Sequence, residues 1–169
     1  MLWSIFNIDI MKKKNTLLLF LCLFSLWAVA QEKKPVKIAC VGNSITYGSG
    51  IKNQFQNSYP GLLSQLLGEG YDVRNFGISA RVLLNKGDHP YMHEQKFRDL
   101  LAFQPDIVTI KLGTNDSKPW NWRYGKDFKK DLTEMLDILQ ELPSKPKIYL
   151  CLPVPAVKRN FGINDSVIT

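Results

Sequence analysis

From Val36 onward the chain alternates short apolar runs with amphipathic stretches. Val36–Val41 (VKIACV), Tyr71–Phe76 (YDVRNF), Ile107–Leu112 (IVTIKL) and Lys147–Leu152 (KIYLCL) read as four strands. The first three stop at Gly42, Gly77 and Gly113, and the fourth runs into Pro153 and Pro155. Three helices fit between them. The first starts at Ser58-Tyr59-Pro60, where Ser58 suits a cap and Pro60 suits a first turn. Leu62, Leu63, Leu66 and Leu67 would form its apolar face, and Gly68 and Gly70 would stop it. The second, Glu94–Phe103, carries Phe97, Leu100 and Leu101 on one side and ends before Pro105. The third, Lys126–Leu142, has Phe128, Leu132, Met135, Leu136 and Leu139 on one face. Lys129, Lys130, Glu134, Asp137 and Glu141 lie on the other.

Strands and helices alternating at this spacing predict βαβ units and a parallel sheet covered on both faces. Ligands of such sheets bind beyond the carboxyl ends of the strands. Gly42-Asn43-Ser44, Gly77-Ile78-Ser79 and Gly113-Thr114-Asn115-Asp116 all fall there. Asn164-Asp165-Ser166 is a helix-start signal followed by three residues only. This predicts a chain truncated at its C-terminus, with the fourth strand left as an open edge.

The N-terminal stretch has a different character. Lys12-Lys13-Lys14 precede a run from Leu17 to Ala30 that is apolar except at Ser25, and Ala28-Val29-Ala30 resembles a cleavage site. Residues 1–30 therefore read as a secretory signal peptide, with Met11 as an alternative start. Fourteen residues fall short of the roughly 20 that a membrane span needs. Secretion or export to the periplasm is expected, with no stable membrane insertion. Leu21 before Cys22 disfavours a lipoprotein anchor. Residues 31–169 form the functional domain. A 45% hydrophobic and 22% charged composition excludes a disordered chain. Removing residues 1–30 lowers the net charge from +7 to +5, with the remaining signs interspersed. No nucleic-acid-binding stripe is present. Cys40 and Cys151 end two runs that, separated by one strand, lie about 10 Å apart, too far for a disulfide. Both are expected as free, buried thiols.

Ser44 follows Gly42 before a loop containing Gly48 and Gly50. Alone, it is most simply a loop serine or a cap. Alone, Gly77 is a turn glycine and Asn115 a turn residue. Together they offer a hydroxyl, a main-chain N–H and a carboxamide, the nucleophile and oxyanion donors that ester hydrolysis requires. Trp120, Trp122 and Tyr124 follow the third segment. Their rings suit either stacking on a sugar or packing on the helix from Lys126. Arg81 and Arg123 suit a polar substrate or plain solvation. No Gly-Lys-Ser/Thr follows the glycines of 42–50, the second glycine of a nucleophile elbow is missing, and no metal-ligand spacing occurs. No cofactor or metal is expected.

Val41-Gly42-Asn43-Ser44-Ile45-Thr46, Asn75-Phe76-Gly77 and Gly113-Thr114-Asn115-Asp116 resemble, in order, the first three blocks of the SGNH (GDSL-type) hydrolases. The resemblance covers about residues 36–155. It implies a flavodoxin-like three-layer α/β/α sandwich and hydrolysis of carboxylic esters. Ser44 would be the nucleophile and, through its own N–H, an oxyanion donor; Gly77 and Asn115 would complete the hole. Trp120, Trp122 and Arg81 would meet substrate. Lys86-Gly87-Asp88 and Ser117-Lys118-Pro119 resemble secreted bacterial acylhydrolases and sialate O-acetylesterases, which implies a small-molecule or carbohydrate ester as substrate. Lysophospholipase or thioesterase activity and non-catalytic glycan binding are the alternatives. Asn43 replaces the aspartate of the family name, at a position that is not the nucleophile. The family's Asp-x-x-His block, which supplies the base, has no counterpart, since no histidine follows Asn115. His89 and His93 read as surface residues. The expectation is an incomplete domain whose catalytic histidine lies past Thr169, and an isolated chain of low activity.

Overall fold

The computed structural model describes residues 34–155 and 162–168. The chain divides into two units, Met1–Lys34 and Pro35–Thr169, and the fold below is that of the second. The signal-peptide reading of residues 1–30 lies outside the described residues.

Four parallel strands form one sheet in the order β2-β1-β3-β4. β1 is Val36–Gly42, β2 Tyr71–Gly77, β3 Ile107–Lys111 and β4 Lys147–Leu150. The chain starts in the middle of the sheet, steps to one edge and returns past the start to the other. This is the doubly wound order whose crevice opens where the direction reverses, between β1 and β3.

Alternation along the strands assigns the two faces. Ala39, Val41, Val108 and Ile110 point into the main core with Phe97, Leu100 and Phe103 of α4 (Gln95–Phe103) and Met135 and Leu139 of α6 (Phe128–Gln140). Both helices follow the sequence pattern within a residue or two. Gln104 takes a left-handed conformation that ends α4 before Pro105. The opposite face carries α3 (Tyr59–Leu67), whose Tyr59 hydroxyl lies 3.4 Å from Thr109 Oγ1.

Three expectations are corrected. The leucine stripe of α3 is only partly buried: Leu62 and Leu66 are exposed, while Leu63 and Leu67, in line with Tyr59 and Pro60, are half-buried. Ser58 precedes α3 without capping it through its side chain. Cys151 is free but exposed, whereas Cys40 is free and buried. β4 closes at Leu150, one residue before Cys151, and forms the outer edge of the sheet. Tyr149, Leu150, Leu152 and Val154 are exposed there too. The helix signal at Asn164 is met by α7 (Asp165–Ile168), with Asn164 Oδ1 accepting from the Ser166 N–H at 3.2 Å.

Candidate active site

The three glycine-ended segments leave the sheet side by side. Gly42 is in register with Gly77 on one flank and Lys111 on the other. After Gly42 the chain turns at once into a one-turn helix, α1 (Ser44–Tyr47), which sequence periodicity could not show because four residues carry no period. Buried Asn43 caps it, its Oδ1 accepting from the Ile45 N–H at 3.1 Å. The aspartate-to-asparagine departure thus keeps the capping acceptor. Ser44 is the first helical residue, half-buried, and its hydroxyl has no hydrogen-bond partner among the described residues.

Both strand-end glycines serve close approach. A Cβ at Gly42 would stand 2.1 Å from Thr46 Oγ1 and 2.8 Å from the Lys111 carbonyl. One at Gly77 would stand 2.3 Å from the Tyr47 nitrogen. Only glycine lets α1 settle onto the strand ends. The Gly77 N–H is also already bound, donating to Asn75 Oδ1 at 2.9 Å. Asn75 Nδ2 donates to the Thr46 carbonyl at 2.9 Å, so Asn75-Phe76-Gly77 clips β2 to α1. One N–H cannot serve both Asn75 and an oxyanion well.

A different main-chain amide is free nearby. Ala80 adopts φ +65° in the turn after β2, is exposed, and its N–H has no partner among the described residues. A left-handed alanine is uncommon and costs roughly 1 kcal/mol or more. Such a strained turn is a recurrent feature of functional sites. Nothing in the letters Ser79-Ala80-Arg81 announces it, since glycine is the residue sequence reasoning associates with positive φ.

Asn115 is buried and donates through Nδ2 to the Arg81 carbonyl at 3.0 Å, joining the third segment to the turn at Ala80. A carboxamide nitrogen has two hydrogens, so one remains. Arg81 itself is not a free cation. Its guanidinium pairs with Glu94 at 2.8 Å and donates to the Ser79 carbonyl at 3.0 Å. It braces the turn.

Asp116 is the residue that sequence reasoning passed over. It is fully buried, and its Oδ1 accepts from the Leu83 and Leu84 N–H groups, both at 2.8 Å. Burial pushes its carboxyl up to about 6, against the pull of those N–H bonds. Asn121, equally buried, donates to the Asn115 carbonyl and to Asp88 Oδ1, both at 3.0 Å, and accepts from the Asp88 N–H. Burial raises the Asp88 carboxyl, but donation from Trp120 and Asn121 outweighs it and the net direction is down. These bonds fasten the 82–90 loop to the third segment.

The two tryptophans separate. Trp122, the last residue of α5 (Pro119–Trp122), packs on Phe128, ring centres 5.9 Å apart, and a Cβ at Gly125 would stand 2.8 Å from its ring. This contact holds one side of the ring against the helix, while about a third of the residue stays exposed. Trp120 is half-exposed, and its Nε1 donates to Asp88 Oδ2 at 3.0 Å. His89 and His93 are exposed, and neither imidazole is hydrogen-bonded to Ser44. Among the described residues, no group of three or more His, Cys, Asp or Glu is arranged to hold a metal, and no helix is long and apolar enough to cross a membrane.

The GDSL-like Lipase/Acylhydrolase family model matches residues 40–167. The chain belongs to that family. A curated relative, an acetylxylan esterase from Xylanibacter ruminicola, is 48% identical over 157 residues, which is 83% of this chain and 33% of the relative. The chain thus spans about a third of that relative's length. Among solved structures, the native aryl esterase of M. smegmatis superposes with TM-score 0.57 at 25% identity, covering 71% of this chain and 65% of its own. Est24, a carbohydrate acetylesterase from Sinorhizobium meliloti, gives TM-score 0.57 at 22% identity with the same coverages. These likenesses bear out the α/β fold expected of a GDSL-like chain.

Proposed function

We propose that this chain carries the nucleophile and oxyanion hole of a secreted carboxylic ester hydrolase that removes acetyl groups from carbohydrate. The observation that carries the reading is the convergence of three segments at one end of the sheet. Ser44 has an uncommitted hydroxyl on the turn after Gly42, and the Asn115 carboxamide is tied to the Arg81 carbonyl, one residue past the free Ala80 amide. In this reading Ser44 Oγ bonds to the acyl carbon and the alcohol oxygen leaves carrying a proton. Water then cleaves the acyl-serine to release acetate. The Ser44 N–H, the Asn115 Nδ2 and the Ala80 N–H stabilise the oxyanion; Ala80 takes the place that the sequence assigns to Gly77. Each such donor is worth roughly 100- to 1,000-fold in rate.

The carbohydrate acetyl ester is favoured because one curated relative is an acetylxylan esterase and one structural neighbour, Est24, a carbohydrate acetylesterase. Trp120, half-exposed beside the third segment, supplies a ring for a sugar face. The Ser44 proton needs a base, and no imidazole is bonded to Ser44 among the described residues. Without a bonded base, both attack on the ester and release of the acetyl group are expected to be slow. Incubation with 4-nitrophenyl acetate followed by intact-mass measurement should show one acetyl group on the chain, mapped to Ser44. Ser44→Ala should carry none and release no nitrophenol above the background. Undiminished hydrolysis in Ser44→Ala would remove the mechanism, and glycan binding without any acylation would favour a binding role.

A further inference from the structure

A second feature lies outside this constellation. A groove of about 960 Å³ runs along the β2 edge of the sheet, floored by Val73 and Asn75 and walled by α2 (Gln54–Asn57) and the start of α3. That is within the usual size of small-molecule sites, roughly 300–1,000 Å³. Tyr47, the last residue of the α1 turn that Ser44 begins, is among its lining residues. Phe55, on the α2 wall, is 92% exposed.

Five carboxamides, Gln54, Gln56, Asn57, Gln65 and Asn75, help line it, and hydrogen bonds orient all of them but Gln56. Gln65 Nε2 donates to the Gln56 carbonyl at 2.9 Å, Asn57 Nδ2 to the Lys52 carbonyl at 2.7 Å, and Gln54 Nε2 to the Tyr47 carbonyl. Each bond uses a donor and leaves the amide oxygen of that side chain without a partner among the described residues. The wall is also held rigidly. The Cα of Gly61 sits so close beneath α2 that a Cβ there would be 2.3 Å from the Phe55 carbonyl. The charges nearby are largely compensated. Arg74 and Asp72 close a two-point pair at 3.1 and 2.8 Å. Lys96 turns toward the crevice, donating to the Gly77 carbonyl at 3.2 Å.

Fixed amide oxygens suit a ligand rich in hydroxyl donors, and exposed aromatic rings suit its C–H faces. A nearly neutral lining suits an uncharged ligand. We infer that the groove from Tyr47 to Phe55 binds the sugar backbone of a neutral acylated polysaccharide and delivers its ester to Ser44. Its role in delivery rests on the proposed esterase activity, but its binding of sugar does not. The polymer lies along α2 with one sugar on Phe55 and its hydroxyls on the oxygens of Gln54 and Gln65. A substrate lacking the backbone, such as an aryl acetate, does not use this groove.

The test is affinity electrophoresis of the whole chain in gels containing acetylated xylan, with pectin as the acidic comparison, at physiological salt. Xylan should retard the chain and pectin should not. Phe55→Ala should weaken the xylan interaction about tenfold, the scale of one aromatic contact, and Gln65→Ala should weaken it severalfold. Both side chains are exposed, so unchanged thermal melts should accompany these losses. Ser44→Ala should bind as the parent does, so that binding is read apart from acylation. Equal retardation of parent, Phe55→Ala and Gln65→Ala would overturn the assignment, as would retardation by pectin alone or by neither polymer. Failure of the esterase reading shows separately, as Ser44-independent hydrolysis with the xylan retardation intact.

Discussion

Replacing Asp116 by asparagine isolates the energetic cost of a charge held under the 82–90 loop. Asp116 is fully buried, and its carboxyl is shifted from 3.8 to about 6 by burial, against the opposing N–H bonds of Leu84 and Leu83. The folded state therefore holds its proton more tightly than the unfolded chain does. The stability tied to this proton is complete below the unfolded value of 3.8 and is lost as pH rises through about 6. The full span is about 3 kcal/mol at 1.36 kcal/mol per unit. Between about pH 4.5 and 7.5, where both states can be handled, roughly 2 kcal/mol of it is accessible. Asparagine keeps an oxygen for the Leu83 and Leu84 N–H groups and cannot titrate. Thermal melts of parent and Asp116→Asn at the two pH values give a double difference in which every other titrating group cancels. The parent should lose about 2 kcal/mol more than the variant on going to the higher pH, roughly 6 °C for a domain of this size. A parent–variant difference that stays constant across that range, or widens in the opposite direction, refutes the reasoning.

Three further outcomes are expected. Gly77→Ala should destabilise by about 3 kcal/mol or more, because its Cβ would press on the Tyr47 nitrogen at 2.3 Å. Ala80→Gly should instead stabilise by about 1 kcal/mol by relieving φ +65°; denaturant melts of the pair check both signs. Trp122→Ala should lower the melting temperature through loss of its packing on Phe128. Trp120→Ala should leave stability nearly unchanged but raise KM for carbohydrate esters and not for aryl acetate, as steady-state kinetics would show.

The parallel sheet and its two longest helices were legible because each carries a sustained period. Ile107–Leu112 alternates with turn signals at both ends, and Phe128–Leu139 repeats its apolar residues at helical spacing. The three strand-end segments were legible for the same reason, since a strand's end can be read from where its apolar run stops. The jobs of the residues within them were not. Gly77 looks like an open amide in sequence, yet Asn75, two residues earlier, reaches forward and occupies it. Ala80 is invisible because conformation is imposed by the turn and by the Arg81–Glu94 brace, not by its side chain. Asp116 reads as one more polar letter after Asn115; its role depends on Leu83 and Leu84, more than thirty residues away in the chain. α3 misled the periodic reading in part, because adjacent leucines at helical spacing span a wider arc than the helix turns inward: Leu63 and Leu67 are half-buried, Leu62 and Leu66 exposed.

The fastening of the 82–90 loop has a consequence for how the crevice meets its ligand. Asp116 holds two of the loop's amides, Asn121 a third, and Asp131 a fourth through Asn85 at 2.8 Å. A wall pinned at four points from three different segments has little freedom left to lose when something docks against it. Its order is set when the domain folds, so the entropy that a mobile flap would give up at each encounter is largely absent here. A ligand that reaches this loop meets amides already committed to Asp116, Asn121 and Asp131.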